Sequence, residues 1–331
     1  MRAPRRAFAL SMAAAPFLGR PGTAQQRSPA PDGWPSRAVR LVVPFAAGGS
    51  TDVAARILAE RMGQTLGQTV VVENRTGSGG LIGADAVAKA EPDGYALLMA
   101  TTGLLSIAPH LYPQMPFDPA RDFAPVSLAF STDLVITVAG TVPARTLGEF
   151  VRYAKEKPGA VSYASSGAGT TTHAATELFR LAAGVDLLHV PYRGSGPAMN
   201  DLVAGNIQLM VDQIASAIGQ IGDGRIRALA VTGAQRHPLL PDVPTVAEAG
   251  LPNAQASSWG GIVAPVGTAG PVVERVNAAV RDAVAQPAVR QRMAGAGADP
   301  AASTPAEFTT FIRSESEKWG RVVREARITV G

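Results

Sequence analysis

The sequence predicts an α/β chain in two lobes, each a doubly wound, mainly parallel sheet with flanking helices. Three observations predict it. The first part of the chain alternates short apolar runs with helical segments in βαβαβ order. The alternation starts again from Asp133 without any repeat of sequence. And 331 residues, 46% hydrophobic and 17% charged, suffice for two cores.

The chain opens with a basic stretch, "MRAPRR", a short apolar stretch, "AFALSMAAAPFLG", and small residues, "GTA", before Gln25. This order predicts an export signal over residues 1–24, and the apolar part is too short to span a bilayer. Arg5, Arg6 and Phe8 fit a twin-arginine signal as well as a Sec signal. Four of the 30 basic residues and none of the 26 acids lie in that segment, so the remainder has no formal net charge. With no lysine/arginine run left, nucleic acid is not an expected partner. The absence of cysteine excludes disulfides, thiolate metal sites and thiol nucleophiles.

"VRLVV" (Val39 to Val43) reads as a strand buried on both faces. In the helix that follows, Val53, Ile57, Leu58, Met62 and Leu66 share one face. Between them, "PFAAGGSTD" (Pro44 to Asp52) is a strand-to-helix turn, with Ser50, Thr51 or Asp52 as cap. Glycines there permit close backbone approach, and a helix start suits an anion; an ordinary capped turn reads equally well. "QTVVVEN" is the second strand, "RTGSGG" leads into a helix over Leu81 to Ala90, and "YALLMA" is the third strand.

The second set begins with the strand "DLVITVAG". A helix follows, opened by a Thr146/Glu149 capping box and stopped before Pro158 and Gly159. "VSYASSG", "DLLHVPY", "IQLMVDQ" and "IRALAVTG" read as strands, with helices after the first two. "SSWGGIVAP" is a further strand. Helices over Pro271 to Ala285 and Thr304 to Arg327 end the chain, the latter capped by Thr304 and Glu307.

In open parallel sheets, ligands sit beyond the carboxyl ends of strands. The residues there are mostly glycine and hydroxyl residues, contributed by both sets. Catalytic spacings are missing: there is no GxSxG elbow, no phosphate loop and no HExxH. "GSGGLIG" (Gly77 to Gly83) lacks dinucleotide spacing, because Ile82 stands where the last glycine belongs. The four histidines, His110, His173, His189 and His237, lie far apart in sequence. His189, in an apolar strand, reads as a satisfied core histidine. A Ser-His-Asp trio can be drawn on paper from Ser165, His173 and Asp212, as such trios can in any chain of this length.

Four stretches carry a family resemblance: "WPSRAVRLVVPFAAGGSTDVAARILAERM", "VVVENRTGSGGLIGADAVAKAEPDGYALLMATTG", "VPYRGSGPAMNDLVAG" and "LLPDVPTVAEAGLP". In order and spacing they resemble the substrate-binding proteins of tripartite tricarboxylate transporters, the Bug family. The resemblance runs from about Trp34 to the C-terminus. It implies a type II periplasmic-binding-protein fold closing like a Venus flytrap, with residues 34–129 and 257–331 in lobe 1 and 130–256 in lobe 2. It also implies a monomer in the periplasm, without cofactor or catalytic turnover. The protein would carry a small carboxylate (a di- or tricarboxylate, an acidic amino acid, an aromatic or nicotinate-type acid) to the transporter's large and small membrane subunits. A sensor subunit serving a membrane receptor is the alternative.

Carried over residue by residue, the first-lobe contacts implied are Ala47, Gly48, Gly49, Ser50, Thr51 and Asp52, then Gly77, Ser78 and Gly79, then Thr101 and Thr102. The second lobe would offer Ser165, Ser166, Thr170, Thr171, His173, Tyr192, Arg193 and Asp212. Ala47 departs from the family's pattern, which usually places proline before the glycine pair. Asp52 reads equally as a ligand contact and as a helix N-terminal charge. Arg193 reads as the partner of a second carboxylate or as a solvated rim residue. Asp212 reads as acceptor for a ligand amine or protonated ring, or as a hinge lock.

Overall fold

The computed structural model describes residues 33–45, 47–192 and 194–329. The expected export signal and Arg193 lie outside the described residues. The predicted βαβαβ unit is present as β1 (Val39–Val43), α1 (Ser50–Leu66), β2 (Val70–Asn74), α2 (Leu81–Ala88) and β3 (Ala96–Thr101). β1 pairs in parallel with both β2 and β3. Val39, Leu41 and Val43 enter the core on one face of this sheet, and Val42 enters the core on the other. That explains an apolar run without alternation: both faces are covered. Ile57, Leu58, Met62 and Leu66 of α1 are buried as expected, while Val53 is half-buried.

A π-helical turn (Gly103–Ile107) and α3 (Ala108–Leu111), which no local pattern in the sequence marks, follow β3. β4 (Phe123–Ala139) is longer than the strand read from "DLVITVAG". Its first part pairs with β9 (Ser257–Pro265), down to Asp133 opposite Ser257. From Leu134 onward it pairs with two second-set strands, β7 (Leu209–Gln213) and β8 (Ile226–Val231). One strand therefore serves both sheets.

The second set comprises α4 (Leu147–Lys155), β5 (Ser162–Ser165), α5 (Thr171–Ala183), β6 (Leu188–Pro191), α6 (Ser195–Ala204), β7, α7 (Ile214–Gly222) and β8. Its strand order, β6-β5-β7-β4-β8, matches β2-β1-β3-β9-β4 of the first. In each lobe three parallel strands meet an antiparallel neighbour, and that neighbour is bordered by a further strand. The chain ends with α8 (Gly270–Ala285), α9 (Pro287–Gly295), the short β10 (Asp299–Pro300) on β4, and α10 (Pro305–Ala326). Both expected capping boxes form, Thr146 with Glu149 and Thr304 with Glu307.

α10 reaches both cores. Phe308, near its start, packs with Trp259 beside the first sheet, whereas Trp319, Val322 and Val323 join the core that holds β5 and β7. Buried side chains of this size contribute about 1.5–3 kcal/mol each, so the helix ties the two lobes firmly. At the crossing, the Thr232 hydroxyl donates to Ala256 O (2.6 Å) and accepts from the Leu134 amide (3.0 Å). That residue fastens the two connecting strands to each other.

Candidate functional site

The turn after β1 does not cap its helix as the sequence suggested. Gly49 is the N-cap residue, and none of Ser50, Thr51 and Asp52 makes a side-chain cap bond. A helix cannot bond its first-turn amides internally, so those of α1 stay available, at the positive end of the helix. Asp52 instead reaches back. Its carboxylate accepts from the Gly48 amide (2.8 Å), Arg56 Nε (2.9 Å) and Asn74 Nδ2 (2.8 Å), and the residue is 2% exposed. Burial opposes its charge, but the bonds from Arg56, Gly48 and Asn74 outweigh it and hold the carboxyl below its ordinary value. Asp52 thus shapes the loop from behind.

The second turn is strained backbone. Gly77, Ser78, Gly79 and Gly80 all have positive φ, and Ser78 at φ 47 is a non-glycine residue in the left-handed region. Such a residue costs about 1–3 kcal/mol and persists only where its surroundings impose it. A side chain at Gly83 would meet Arg75 O at 2.5 Å, so α2 must press against the strand end here. The third strand end supplies Thr101, while Thr102 is buried and its hydroxyl accepts from the Trp259 amide (2.8 Å), joining β3 to β9.

Across the gap, the loop between β5 and α5 is a hydroxyl network. Thr172 Oγ1 accepts from the Ser166 amide (2.9 Å) and lies 2.8 Å from Ser166 Oγ; Thr170 Oγ1 donates to Gly167 O (2.7 Å) and caps α5. α6 starts at Ser195 with no side-chain cap, a second helix end with free amides. Asp212, at the end of β7, is 1% exposed; its Oδ1 accepts from the Gln213 amide (2.8 Å) and Ser195 Oγ (3.0 Å). Burial pushes its carboxyl up to about 6. Ser50 Oγ donates to Gln213 Oε1 (3.2 Å), so the two sides touch.

Between these loops lies a cavity of about 300 Å³. Of the residues named from sequence, Gly49, Ser50, Thr51, Ser78, Gly79 and Thr101 line it from one side, and Ser166, Thr170, Thr171 and Asp212 from the other. Ala47, Gly48, Asp52, Gly77, Thr102, Ser165, His173 and Tyr192 are not in its lining. Their side chains have other duties where they have any. Tyr192 Oη donates to Asp201 (2.5 Å), and burial together with that carboxylate pushes the phenol up to about 12. His173 stacks on His189 with ring centres 3.8 Å apart and accepts from the Gly169 amide (3.0 Å); burial and His189 push it down to about 3, so the ring is neutral.

The drawn hydrolase trio does not assemble. Ser165 Oγ lies 2.7 Å from His189 Nε2, not beside His173, and Asp212 bonds Ser195 rather than a histidine. His189 is satisfied there, half-buried and stacked on Tyr163 as well. Among the described residues, no group of three or more His, Asp or Glu is placed to hold a metal ion.

Sequence reasoning missed Phe45, Leu81, Ala108 and Tyr112, which give the cavity an apolar wall, and Gln213 and Ser258, which face it beside Asp212 and Trp259. Adjacency to a strand end was the signal for Gln213; nothing local marked Tyr112. A larger cavity, about 450 Å³, opens near His110, Phe123 and Arg313, but none of the residues named from sequence except the histidine reaches it. The described lining of the two-sided cavity contains no Lys or Arg. Its chemistry is therefore neutral donors at two helix starts, an apolar wall and one carboxyl.

Comparison with known proteins shows the family and the fold. Residues 54–328 match the family described as "Tripartite tricarboxylate transporter family receptor". The chain is 38% identical to protein BugT of Bordetella pertussis, covering 89% of this chain and 90% of that one. It superposes with a TM-score of 0.77 on the periplasmic binding protein BugD, at 38% identity over 89% and 99% of the two chains. An R. palustris protein solved with adipate superposes at 0.80, with 36% identity over 89% and 99%.

Proposed function

The chain belongs to the tripartite tricarboxylate transporter receptor family, and from that premise we propose that it is a periplasmic solute-binding protein for a small carboxylate. One observation carries the reading: the cleft between the lobes is lined by hydroxyls and by two helix starts without side-chain caps. Such a lining meets a carboxylate with hydrogen bonds and helix dipoles instead of a cation. The ligand's carboxylate is held by the amides of Gly49 to Thr51 and of Ser78 and Gly79, with the Thr51 hydroxyl. Its carbon chain lies against Phe45, Leu81 and Tyr112. The second lobe closes Ser166, Thr170 and Thr171 over it.

In this reading residues 34–129 and 257–331 form one lobe and 130–256 the other, and the chain acts as a monomer exported by residues 1–24. It hands its cargo to the large and small membrane subunits of a tripartite transporter. The malate- and adipate-sized acids fit a cavity of about 300 Å³.

The test is a thermal-shift screen of the purified protein against C3–C8 mono-, di- and tricarboxylates and their amides, followed by calorimetry. An acid at about a hundred times its dissociation constant stabilises by roughly 2.7 kcal/mol; its amide should not. Thr51→Ala should weaken the best acid about ten- to a hundredfold, the value of one hydrogen bond to a charged group. Equal shifts by acids and amides, or no shift by any acid, would refute the reading.

A further inference from the structure

The cavity of about 450 Å³ lies outside the cleft, between α10, α3 and the chain around Phe123. The π-helical turn and α3 divide the two. Gly103, Ala108 and Tyr112 face the cleft, whereas Leu105, Pro109 and His110 face the larger cavity. Its volume is that of a small-molecule site. The floor is apolar: Leu105 and Phe123 are buried there, and Ile312 of α10 is half-buried beside them.

One end of the cavity is polar. His110 Nε2 lies 2.9 Å from Ser316 Oγ. A Cβ at Gly320 would stand 2.7 Å from the His110 ring, so the ring rests on α10 where that helix carries no side chain. Arg324 follows one turn further along the helix. Partial burial, then the Arg324 charge, lower the His110 pKa, so the ring is neutral at pH 7. The other charges of the lining are answered. Asp118 is met by Arg121 (3.5 Å) and accepts from the Ala120 amide (2.9 Å), and Arg313 and Glu317 stand four residues apart on one face of α10. Arg324 is exposed and has no carboxylate partner among the described residues, which leaves one positive charge in excess.

We propose that this cavity is a second ligand site, for an amphipathic monoanion: a medium-chain monocarboxylate. Its head meets the Arg324 guanidinium and the Ser316 hydroxyl, and its tail lies on Leu105, Phe123 and Ile312. From Ile312 to Arg324 the helix advances about 18 Å, room for an extended chain of about eight to twelve carbons. The cleft meets its ligand with neutral donors; this site adds a cation and a long apolar floor. The assignment does not depend on what the cleft binds.

Calorimetry of the purified protein at pH 7.5 with straight-chain acids below their micelle concentrations tests it. Octanoate should bind, and affinity should rise by up to about fourfold per added CH₂ from hexanoate to decanoate. Octylamine and octanol should bind at least about tenfold more weakly, lacking the hydrogen bond between charged groups. Arg324→Glu should weaken octanoate at least about tenfold without moving the melting temperature, because the side chain is exposed, and Arg324→Lys should keep most of the affinity. Arg313→Glu, three turns away, should change it less than about threefold, since a distant exposed charge is screened. Thr51→Ala, in the cleft, should leave it unchanged. No binding of octanoate at millimolar concentration, equal binding of octylamine, or a loss in Thr51→Ala rather than in Arg324→Glu would overturn the assignment and leave the carboxylate reading of the cleft standing.

Discussion

Asp133 sits at the point where β4 changes partner, opposite Ser257, and faces Asp299 while His237 lies nearby. Burial, then the Asp299 charge, push it up to about 6, with His237 opposing them. The folded protein therefore holds a proton that the unfolded chain releases near pH 4. Stability should fall as pH rises from about 4 to about 6, and the penalty should persist above that. Asp133→Asn should leave stability nearly unchanged at pH 4 and raise it by about 1–2 kcal/mol at pH 8, as read from urea midpoints. Equal midpoints for both proteins at pH 8 would refute the argument. Asp52 is the opposite case, an acid whose bonds outweigh its burial and lower its pKa. Sequence could place both acids near strand ends but not tell them apart. What separates them is Asn74 and Arg56 on one side and Asp299 on the other, partners that only the fold supplies.

β9 runs through the middle of the first lobe with two adjacent glycines, and each is required by an aromatic ring on its own face. A Cβ at Gly260 would stand 2.3 Å from the Phe130 ring, and one at Gly261 would stand 2.1 Å from that of Phe308. Phe308 is fully buried, so it has nowhere to move. Gly261→Ala should destabilise by about 1–3 kcal/mol. Gly219, inside α7, meets nothing within 4 Å, and Gly219→Ala should stabilise by about 0.5–1 kcal/mol through helix propensity. Thermal melts showing the same sign for both would contradict this packing. The elements that were legible in sequence share a feature: their signals are local. "VRLVV" and the Thr146 and Thr304 boxes need no distant partner to be recognised. "IASAIGQIG" and "GLLSIAPHL" were not legible, because a short apolar helix and a buried strand look alike without their neighbours. The length of β4 was hidden likewise, since Ser127, Ser131 and Thr132 interrupt the apolar pattern and are held in the strand by pairing with β9 and β10.

At the scale of the whole molecule, three tethers limit how the lobes can move. Two are chain segments, β4 where it changes partner after Asp133 and the stretch that enters β9, fastened together through Thr232, which bonds Leu134 and Ala256. The third is α10, anchored by Phe308 in one core and Trp319 in the other. A hinge with such tethers bends by small backbone rotations at the crossings while each core stays packed. Ser50 already bonds Gln213 across the cleft, so the closed arrangement is within reach of the loops as they stand. Tryptophan emission is a poor reporter of this motion: Trp34, Trp259 and Trp319 are all buried, and Trp259 Nε1 donates to Glu315 within its own packed cluster. Small-angle scattering is the suitable measurement. Without ligand the radius of gyration should exceed the value calculated from this structure. With the tightest acid of the screen at saturation it should fall to that value, while far-ultraviolet circular dichroism stays unchanged. The Ser50→Ala variant, which lacks the bond to Gln213, should need more ligand to reach the same compact state. A radius unmoved by ligand would show that this protein does not capture its cargo by closing a hinge.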